Sequence, residues 1–470
     1  MRKHLLVYLL ALTTLQCGEN APPQGYTGPI FDPGPKRVIV ICLDSLRADH
    51  LGCYGYERDI SPRMDALSAE NVRFARATAP TNWTLPSHVS LFTGLFNKGH
   101  GVRKEDQALT DDTPSLVEPL AAAGFATAAF TGGAYLKRLY GHDRGFGTYW
   151  SSEKDHFQWS EILQRGEDWL GDHADQDVFL FLHTYEIHMP YISPPKDLRE
   201  VLGYHRTRFM GTIEEIQRFR EEAPPLITKE VVGRYDAGIL YTDRLLGGFL
   251  ERLETAGLTD NMLLIVTSDH GEAFWEHGHW GHNGDLLGPQ LTDVPLIVKL
   301  PRLATTIAEA KIVDTEVSFL DLMPTVLDAV GLEPDSDIDG FSLLPELVDR
   351  PVSAADEEAR ERRTVTINGV DTLVGLTESR NFVSMRAGGW TAVVAGPAND
   401  GVTSEVWPAL FDLSIDPGEL TPLPLSGAAA QALNAAAERL AGRPGDQEQT
   451  PRVVDIDPQL KRHLKALGYL

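Results

Sequence analysis

The stretch Arg37-Val38-Ile39-Val40-Ile41-Cys42-Leu43 is a continuous apolar run rich in β-branched residues, and Asp44 follows it directly. This pattern is typical of a strand that is buried on both faces, because such a strand needs no polar face. Strands of this kind form parallel sheets with helices on both sides. Ligands of open α/β sheets bind at the carboxyl ends of the strands, so Asp44 stands where a functional residue is expected.

Further apolar runs follow along the chain and alternate with segments of helical spacing. The runs are 178–183, 262–267 and 294–299, and the helical segments include 235–253 and 319–330. This alternation predicts an α/β fold with a doubly wound, mainly parallel sheet over residues 37–350. Residues 350–375 are charged and less patterned. Short strand patterns and the Ala-rich segment 427–441 then predict a smaller C-terminal α+β domain over 351–470.

The segment Thr81-Asn82-Trp83-Thr84-Leu85-Pro86-Ser87-His88 reads as the start of a short helix, because proline suits a first helical turn. Free N–H groups and the helix dipole favour an anion at such a start. Thr84 is therefore a candidate nucleophile for phosphoryl or sulfuryl transfer. Considered alone, it is equally a threonine that caps the helix.

The charge balance excludes one class of partner. The 470 residues include 67 acidic and 42 basic ones, for a net charge of −25. This balance argues against a broad nucleic-acid surface, so no nucleic-acid partner is expected. The oligomeric state has no readable signal.

The N-terminus predicts export. Basic residues at positions 2–4 precede an apolar run over 5–12 that is too short to span a bilayer, which indicates a signal peptide over 1–16. Cys17 follows at the position where a bacterial lipoprotein would be lipidated, although Thr14 and Gln16 are not the usual flanking residues. Residues 17–36 are rich in proline and glycine and are predicted to be a tether. The expected location is periplasmic or at the cell surface, with a lipid anchor at Cys17.

Polar residues follow several of the predicted strands and converge on one edge of the sheet. Asp44, Asp269 and His270, together with the Thr84 hydroxyl, make a plausible metal site with oxygen and nitrogen ligands. A divalent metal would lower the pKa of the Thr84 hydroxyl. Donors to the three equatorial oxygens of a bound ester could come from Arg47, His88, Lys98, His100, His188 and His282.

Each of these residues also has a plainer interpretation. Asp44 could be a turn residue, and Asp269-His270-Gly271 an ordinary turn. His277, His279 and His282 could form a polar surface loop, and Lys98 and His100 could simply be solvated.

Several segments together resemble the sulfatases of the alkaline phosphatase superfamily over roughly residues 36–470. The segments are 40–50, 84–94, 188–191, 267–271, 321–327, 339–345, 410–419 and the terminal run 466–470. The resemblance implies an alkaline-phosphatase-like fold and an exported, metal-dependent hydrolase of sulfuric or phosphoric esters. Its substrate would be an anionic ester of a small molecule, glycan or lipid.

The departures from the family pattern bear on the reaction. Sulfatases usually carry cysteine or serine at the Thr84 position, for conversion to formylglycine, and threonine cannot form that aldehyde. They usually have arginine at the position of His88, often a second aspartate at Ser45, and a lysine where this chain offers His279 and His282. The implied metal set of Asp44, Thr84, Asp269 and His270 is similar to that of superfamily members with a threonine nucleophile. It implies one divalent metal ion, zinc or calcium, with zinc preferred.

The resemblance thus assigns Thr84, His88, His188 and His282 to catalysis, and Arg47, Lys98, His100 and His279 to substrate binding. Two other functions remain open. One is a transferase that passes a phospho-group, such as phosphoethanolamine, to a lipid or glycan. The other is an inactive protein of this fold that binds anionic glycans, although such a protein would need no set of metal ligands.

Overall fold

The computed structural model of the protein describes residues 30–34, 36–154, 156–203, 209, 211–219, 222–282, 286–302, 310–334, 337–348, 350–367, 369–379, 382–395, 409–441, 450–467 and 469. The predicted signal peptide, Cys17 and most of the predicted tether lie outside these residues. Among the helices described, none is both long enough and apolar enough to cross a membrane.

The strands of the described residues form one large sheet and several small ones. In chain order they are β1 (Arg37–Leu43), β2 (Val72–Thr78), β3 (Gln107–Ala108), β4 (Ala126–Thr131), β5 (Thr148–Ser151), β6 (Val178–Thr184), β7 (Met262–Thr267), β8 (Ala273–Phe274), β9 (Trp280–Gly281), β10 (Asp293–Lys299), β11 (Lys311–Ser318), β12 (Thr364–Ile367), β13 (Val370–Leu373), β14 (Gly375–Glu378), β15 (Phe382–Ala387), β16 (Trp390–Ala395), β17 (Ala409–Asp412) and β18 (Arg452–Val453).

The helices of the described residues lie between these strands. In chain order they are α1 (Pro62–Glu70), α2 (Thr84–Thr93), α3 (Asn97–His100), α4 (Val117–Ala122), α5 (Trp159–Asp172), α6 (Pro195–Leu202), α7 (Ile213–Ile216), α8 (Pro225–Thr255), α9 (Pro289–Thr292), α10 (Leu322–Val330), α11 (Leu344–Leu347), α12 (Ala354–Arg363), α13 (Gly427–Ala441) and α14 (Pro458–Ala466). The predicted helix over 235–253 is the C-terminal part of the longer α8.

The central sheet has the strand order β11-β2-β10-β7-β1-β6-β4-β5. Its strands pair in parallel except at β10, which runs antiparallel to both β2 and β7. The predicted doubly wound, mainly parallel α/β sheet is therefore confirmed. The direction of β10 is a finding that its apolar sequence does not reveal.

Strand β1 lies in the middle of this sheet and explains the apolar run from which the prediction started. Val38, Val40 and Cys42 pack into the core on one face. Ile39 and Ile41 pack into the core on the other face. Because both faces are covered, every position of the strand after Arg37 is apolar.

A second sheet of four antiparallel strands follows in the order β14-β15-β16-β17. Helix α13 packs on it, with Leu433 buried against Met385 and Leu376 in a separate core. This is the predicted small α+β unit. Its first strand contacts the segment before α2, because the Glu378 N–H donates to the Pro80 carbonyl at 2.8 Å.

The last described residues return to the central domain. Strand β18 pairs with β3, and helix α14 buries Leu460 and Leu464 in a cluster that contains Leu85 and Val89 of α2. The C-terminus thereby reaches the helix that begins at Thr84.

Candidate active site

Three neighbouring strands bring the predicted polar residues to one edge of the sheet. In the register of the parallel pairs, Cys42 of β1 lies beside His183 of β6 and Thr267 of β7. Asp44 and Asp269 follow β1 and β7 by one or two residues, so their side chains meet beyond the ends of these strands. Carboxyl ends of parallel strands are the usual place for a ligand site in such a sheet.

Thr84 is the first residue of α2, and its hydroxyl faces these strand ends. The residue before the helix, Trp83, makes no side-chain capping hydrogen bond. Instead of capping, Thr84 Oγ1 lies 3.2 Å from Asp44 Oδ2, 3.2 Å from His270 Nε2 and 2.5 Å from the hydroxyl of Tyr469. The capping interpretation therefore does not describe this threonine.

Two carboxylates of the site are fully buried, which is unfavourable unless a positive charge compensates them. Asp44 Oδ1 accepts from Ser45 Oγ at 2.9 Å, and Asp269 Oδ1 accepts from the Ser45 N–H at 3.2 Å. Burial raises the pKa of Asp44, and burial together with repulsion from Asp44 raises the pKa of Asp269. Asp269 Oδ2 has no hydrogen-bond partner among the described residues.

Ser45 reaches both carboxylates from an unusual backbone conformation. Its φ is 61°, in the left-handed region that residues other than glycine seldom adopt. Such strain occurs at functional sites, where the surrounding structure holds it in place.

The His270 ring has a fixed orientation and is the candidate nitrogen ligand of the site. Its Nδ1 donates to the Gly271 carbonyl at 2.8 Å, because a carbonyl only accepts. Nε2 then points at the carboxylates, 3.4 Å from Asp269 Oδ2 and 4.0 Å from Asp44 Oδ1. Burial lowers the pKa of His270, but the two carboxylates outweigh it and the net shift is upward.

The donor set fits a divalent cation. Ligand atoms of Asp44, Asp269 and His270 all lie within 4.8 Å of one another, and so do those of His88, His183 and Asp269. Carboxylate and imidazole together suit zinc, and the oxygens also suit calcium. A bound cation would compensate Asp269 Oδ2, which is buried without a hydrogen-bond partner among the described residues.

His183 belongs to this site, although its sequence did not single it out as a functional residue. Its Nδ1 accepts from the Gly132 N–H at 3.3 Å, so Nε2 carries the hydrogen and donates to Asp44 Oδ2 at 3.2 Å. Burial lowers the pKa of His183 to about 3, so the ring is neutral. The available signal was its place in β6 beside Cys42 of β1, which requires the strand order to be known.

His188 and His282 lie together next to the metal-ligand candidates. Their ring centroids are 4.8 Å apart, and the His282 ring is 4.4 Å from that of His270. His188 Nδ1 donates to the Met189 carbonyl, and His282 Nδ1 lies 3.0 Å from Glu272 Oε1. The Nε2 atoms of both rings have no partner among the described residues.

His88 stands one turn into α2 behind Thr84. Its Nδ1 donates to the Thr84 carbonyl at 2.9 Å and lies 3.6 Å from Asp269 Oδ2. Burial lowers the pKa of His88 to about 3. A neutral imidazole here is less suited to binding an anion than the arginine that sulfatases usually carry at this position.

Four other predicted residues have no described hydrogen bond or ion pair with the candidate metal ligands. The Arg47 guanidinium pairs with Asp49 and Glu276, both at 2.7 Å. His100 has both ring nitrogens engaged, with Ser90 Oγ and the Val102 N–H. Lys98 is half-buried in α3, and His279 is exposed. In the described structure none of these four bonds to Asp44, Thr84, Asp269 or His270, and their substrate-binding roles remain predictions.

Two residues of the site, Glu272 and Tyr469, could be recognised only in the folded structure. Glu272 is fully buried beside His282, and burial raises the pKa of this carboxyl to about 8. Tyr469 comes from the far end of the chain and contacts Thr84. In the sequence, the terminal run 466–470 shows only a family resemblance and no sign of this contact.

Comparison with known proteins identifies the family. The Sulfatase family model matches residues 36–332. An ulvan-active sulfatase of Formosa agariphila is 24% identical over 357 residues, which cover 70% of this chain and 68% of the relative. N-acetylgalactosamine-6-sulfatase of Homo sapiens is 24% identical over 440 residues, which cover 84% of this chain and 83% of the relative.

Solved structures share the fold. The complex of a protein designated BT4656 with its substrate, D-glucosamine-2-N,6-O-disulfate, aligns with a TM-score of 0.69 at 17% identity, covering 88% of this chain and all of that one. The phosphonate monoester hydrolase of Agrobacterium radiobacter aligns with a TM-score of 0.62 at 19% identity, covering 89% of this chain and all of that one. Since the family model matches well over half of its length, this chain belongs to the sulfatase family of hydrolases.

Proposed function

We propose that the protein is a metal-dependent hydrolase of sulfuric or phosphoric esters that uses Thr84 as its nucleophile. The observation that carries the proposal is the position of Thr84 Oγ1, which lies 3.2 Å from both Asp44 Oδ2 and His270 Nε2 at the N-terminus of α2. A helix N-terminus favours an anionic group, and α2 is long enough to supply that field.

The metal would be held by Asp44, Asp269, His270 and the Thr84 hydroxyl. When bound, it would lower the pKa of that hydroxyl and offset the charge of the ester. The unpartnered Asp269 Oδ2 and the mutual proximity of the ligand atoms support this assignment. Zinc and calcium both remain candidates, with zinc preferred because a histidine belongs to the set.

The side chains of the site orient the nucleophile and receive the ester. Asp44 Oδ2 accepts hydrogen bonds from Thr84 and His183, which fixes the direction of the Thr84 hydroxyl. His188 and His282 present unpartnered Nε2 atoms beside it. An anion bound against these two rings would raise their pKa and favour the protonated form, which donates. His88 holds the Thr84 carbonyl and so orients the first turn of α2.

The nucleophile and the family favour different ester classes. A threonine ester must be released by attack of water on the transferred phosphorus or sulfur atom, which is the usual course of phosphoryl transfer. This favours phosphoesters, and the shared fold with a phosphonate monoester hydrolase is compatible with them. The names of the relatives favour sulfated carbohydrates. The proposal therefore covers both, with the leaving group expected to be a small molecule, glycan or lipid.

A paired assay tests the nucleophile. The wild-type chain and Thr84→Ala are compared on p-nitrophenyl sulfate, p-nitrophenyl phosphate and bis(p-nitrophenyl) phosphate. We expect Thr84→Ala to lower kcat/KM by about 1000-fold or more, as removal of a nucleophile does in other hydrolases. Thr84→Ser is the matched control, since it keeps the hydroxyl and should keep measurable activity.

The assay also separates the possible outcomes. The ester that turns over fastest decides between sulfur and phosphorus. If Thr84→Ala is as active as the wild-type chain, the nucleophile is wrong. If the wild-type chain hydrolyses none of the three esters with zinc or calcium supplied, the hydrolase proposal fails and the glycan-binding alternative gains.

We also propose that the protein is exported, with residues 1–16 removed and Cys17 lipidated. The support is the sequence pattern alone, since these residues lie outside the described structure. Fractionation of a bacterial host should find the wild-type chain in the membrane fraction and Cys17→Ala in the soluble periplasm. Equal distribution of the two proteins would contradict the anchor.

A further inference from the structure

The C-terminal segment is anchored directly on the helix that carries Thr84. Asp457 caps α14, with Oδ1 accepting the N–H groups of Gln459 and Leu460 at 2.7 and 2.9 Å. Leu460, Leu464 and Leu467 are buried in the cluster that contains Leu85 and Val89 of α2. This packing positions the end of the chain relative to Thr84 through apolar contacts on the same helix.

Tyr469 extends from this anchor into the active site. The Tyr469 N–H donates to the Leu464 carbonyl at 2.9 Å, which turns the chain back after α14. Its ring packs 4.6 Å from Tyr135 and 5.1 Å from His188, measured between ring centroids. The hydroxyl ends 2.5 Å from Thr84 Oγ1, although the two residues are 385 positions apart in the chain.

The hydrogens around Thr84 Oγ1 determine the direction of this bond. Asp44 Oδ2 can only accept, because it is a carboxylate oxygen, so the single hydrogen of the Thr84 hydroxyl goes to it. The Tyr469 hydroxyl is then the group that donates its hydrogen to Thr84 Oγ1.

We infer that Tyr469 is a catalytic residue, which donates a hydrogen bond to Thr84 Oγ1 and stabilises this oxygen when it leaves the ester intermediate. The inference rests on the proposed function. In the second half of the reaction, water bonds to the phosphorus or sulfur atom and the bond from that atom to Thr84 Oγ1 breaks. The electron pair stays on Oγ1, and a proton from the water restores the hydroxyl. A donor already aimed at Oγ1 lowers the energy of the transition state in which charge develops there.

This role follows from the threonine. A nucleophile that stays an ordinary ester must later become a leaving group, and threonine is a poor one because its alkoxide is strongly basic. A hydrogen bond at 2.5 Å from the half-buried Tyr469 hydroxyl addresses that difficulty.

The test is Tyr469→Phe in the full chain, which removes the hydroxyl and keeps the ring packing. Turnover of the best p-nitrophenyl ester is followed by stopped flow. We expect release of the Thr84 ester to slow by about 100-fold, which is the usual effect of losing one hydrogen-bond donor to a developing oxyanion. KM should fall together with kcat, because the ester intermediate accumulates. A burst of about one p-nitrophenol per active site should precede the slow phase. The intact mass of Tyr469→Phe during turnover should show one transferred group on the enzyme. Loss of a tyrosine with a merely structural role would not produce this adduct.

Tyr135→Phe is the matched control. It removes a buried hydroxyl from the same aromatic cluster, and that hydroxyl has no hydrogen-bond partner among the described residues. We expect Tyr135→Phe to keep the wild-type kcat within about twofold, with no burst. Equal melting temperatures of the wild-type chain, Tyr469→Phe and Tyr135→Phe would show that all three are folded alike.

Several results would overturn the inference. A Tyr469→Phe enzyme with wild-type kcat and no trapped group shows that the hydroxyl has no part in the reaction. A faster Tyr469→Phe enzyme shows that the tyrosine obstructs the site. If Thr84→Ala is fully active, the proposed nucleophile fails instead, whatever Tyr469→Phe does. A wild-type chain without any esterase activity removes both proposals.

Discussion

Histidines at the two ends of helix α2 differ in their surroundings. At its start, His270 lies within 4.0 Å of the carboxylates of Asp44 and Asp269. Along its C-terminal half, His100 contacts Ser90, and His142 packs 5.9 Å from the Phe92 ring. All three rings are buried, yet the pKa of His270 is raised against the effect of burial by those carboxylates.

At the other end, burial lowers the pKa of His100 and of His142 to about 3. The comparison shows that burial of histidines does not by itself indicate a functional site in this fold. The feature that indicates a functional site is a buried imidazole in contact with buried carboxylates that have no compensating cation.

We expect the largest change when a carboxylate near the start of α2 is replaced. Asp269→Asn keeps the shape of the side chain but removes the charge and an oxygen ligand. We expect it to lose bound metal and to lower kcat/KM by about 1000-fold or more, measured by elemental analysis and ester hydrolysis. The metal-free variant should be at least as stable as metal-free wild type, because repulsion between Asp44 and Asp269 is removed.

Asp243→Asn is the control for this variant. Asp243 is also a buried carboxylate, and it accepts the N–H groups of Arg63 and Met64 at the start of α1, away from the site. It should lose stability and keep its metal. If Asp269→Asn retains stoichiometric metal, the proposed ligand set is wrong.

A smaller effect tests the other end of α2. Below about pH 6.5 the unfolded chain protonates His142, whereas the folded chain does not until about pH 3. Stability contributed by the neutral ring is therefore lost as the pH falls through this window, by about 2 kcal/mol at pH 5. His142→Phe should remove that loss, so that the variant gains about this much relative to wild type between pH 7.5 and pH 5. Urea unfolding at the two pH values measures it, and parallel changes in both proteins would refute the assignment.

We expect the smallest change at His279, which lies at neither end of α2. His279 is exposed, and its described contacts are backbone ones, with Trp275 and Glu276. We expect His279→Ala to change kcat/KM by less than about twofold and stability by less than about 0.5 kcal/mol. His282→Ala in the same assay should cause a much larger loss of activity. A strong loss in His279→Ala would contradict this expectation and support the substrate-binding role predicted for His279.

Much of the fold could be predicted from local patterns. The apolar run of β1 shows its burial on both faces, and the strand runs ending before Asp44 and Asp269 identify the edge of the sheet where the site lies. The antiparallel direction of β10 could not be predicted, because a strand buried on both faces has the same apolar pattern in either direction. The described extent of α8 also exceeds its prediction, since its first turns carry many polar residues.

The amino-acid sequence was sufficient to predict the α/β class, the family, and the candidate metal-ligand set with Thr84. These depend on short-range periodicity and on residue types that the chemistry of the site restricts. The folded structure was needed to find that His183 contacts Asp44, that Arg47 and His100 have partners elsewhere, and that the Tyr469 hydroxyl lies 2.5 Å from Thr84 Oγ1. The physical reason is that such contacts depend on strand order, side-chain direction and the return of the C-terminus, none of which has a local signature in the chain.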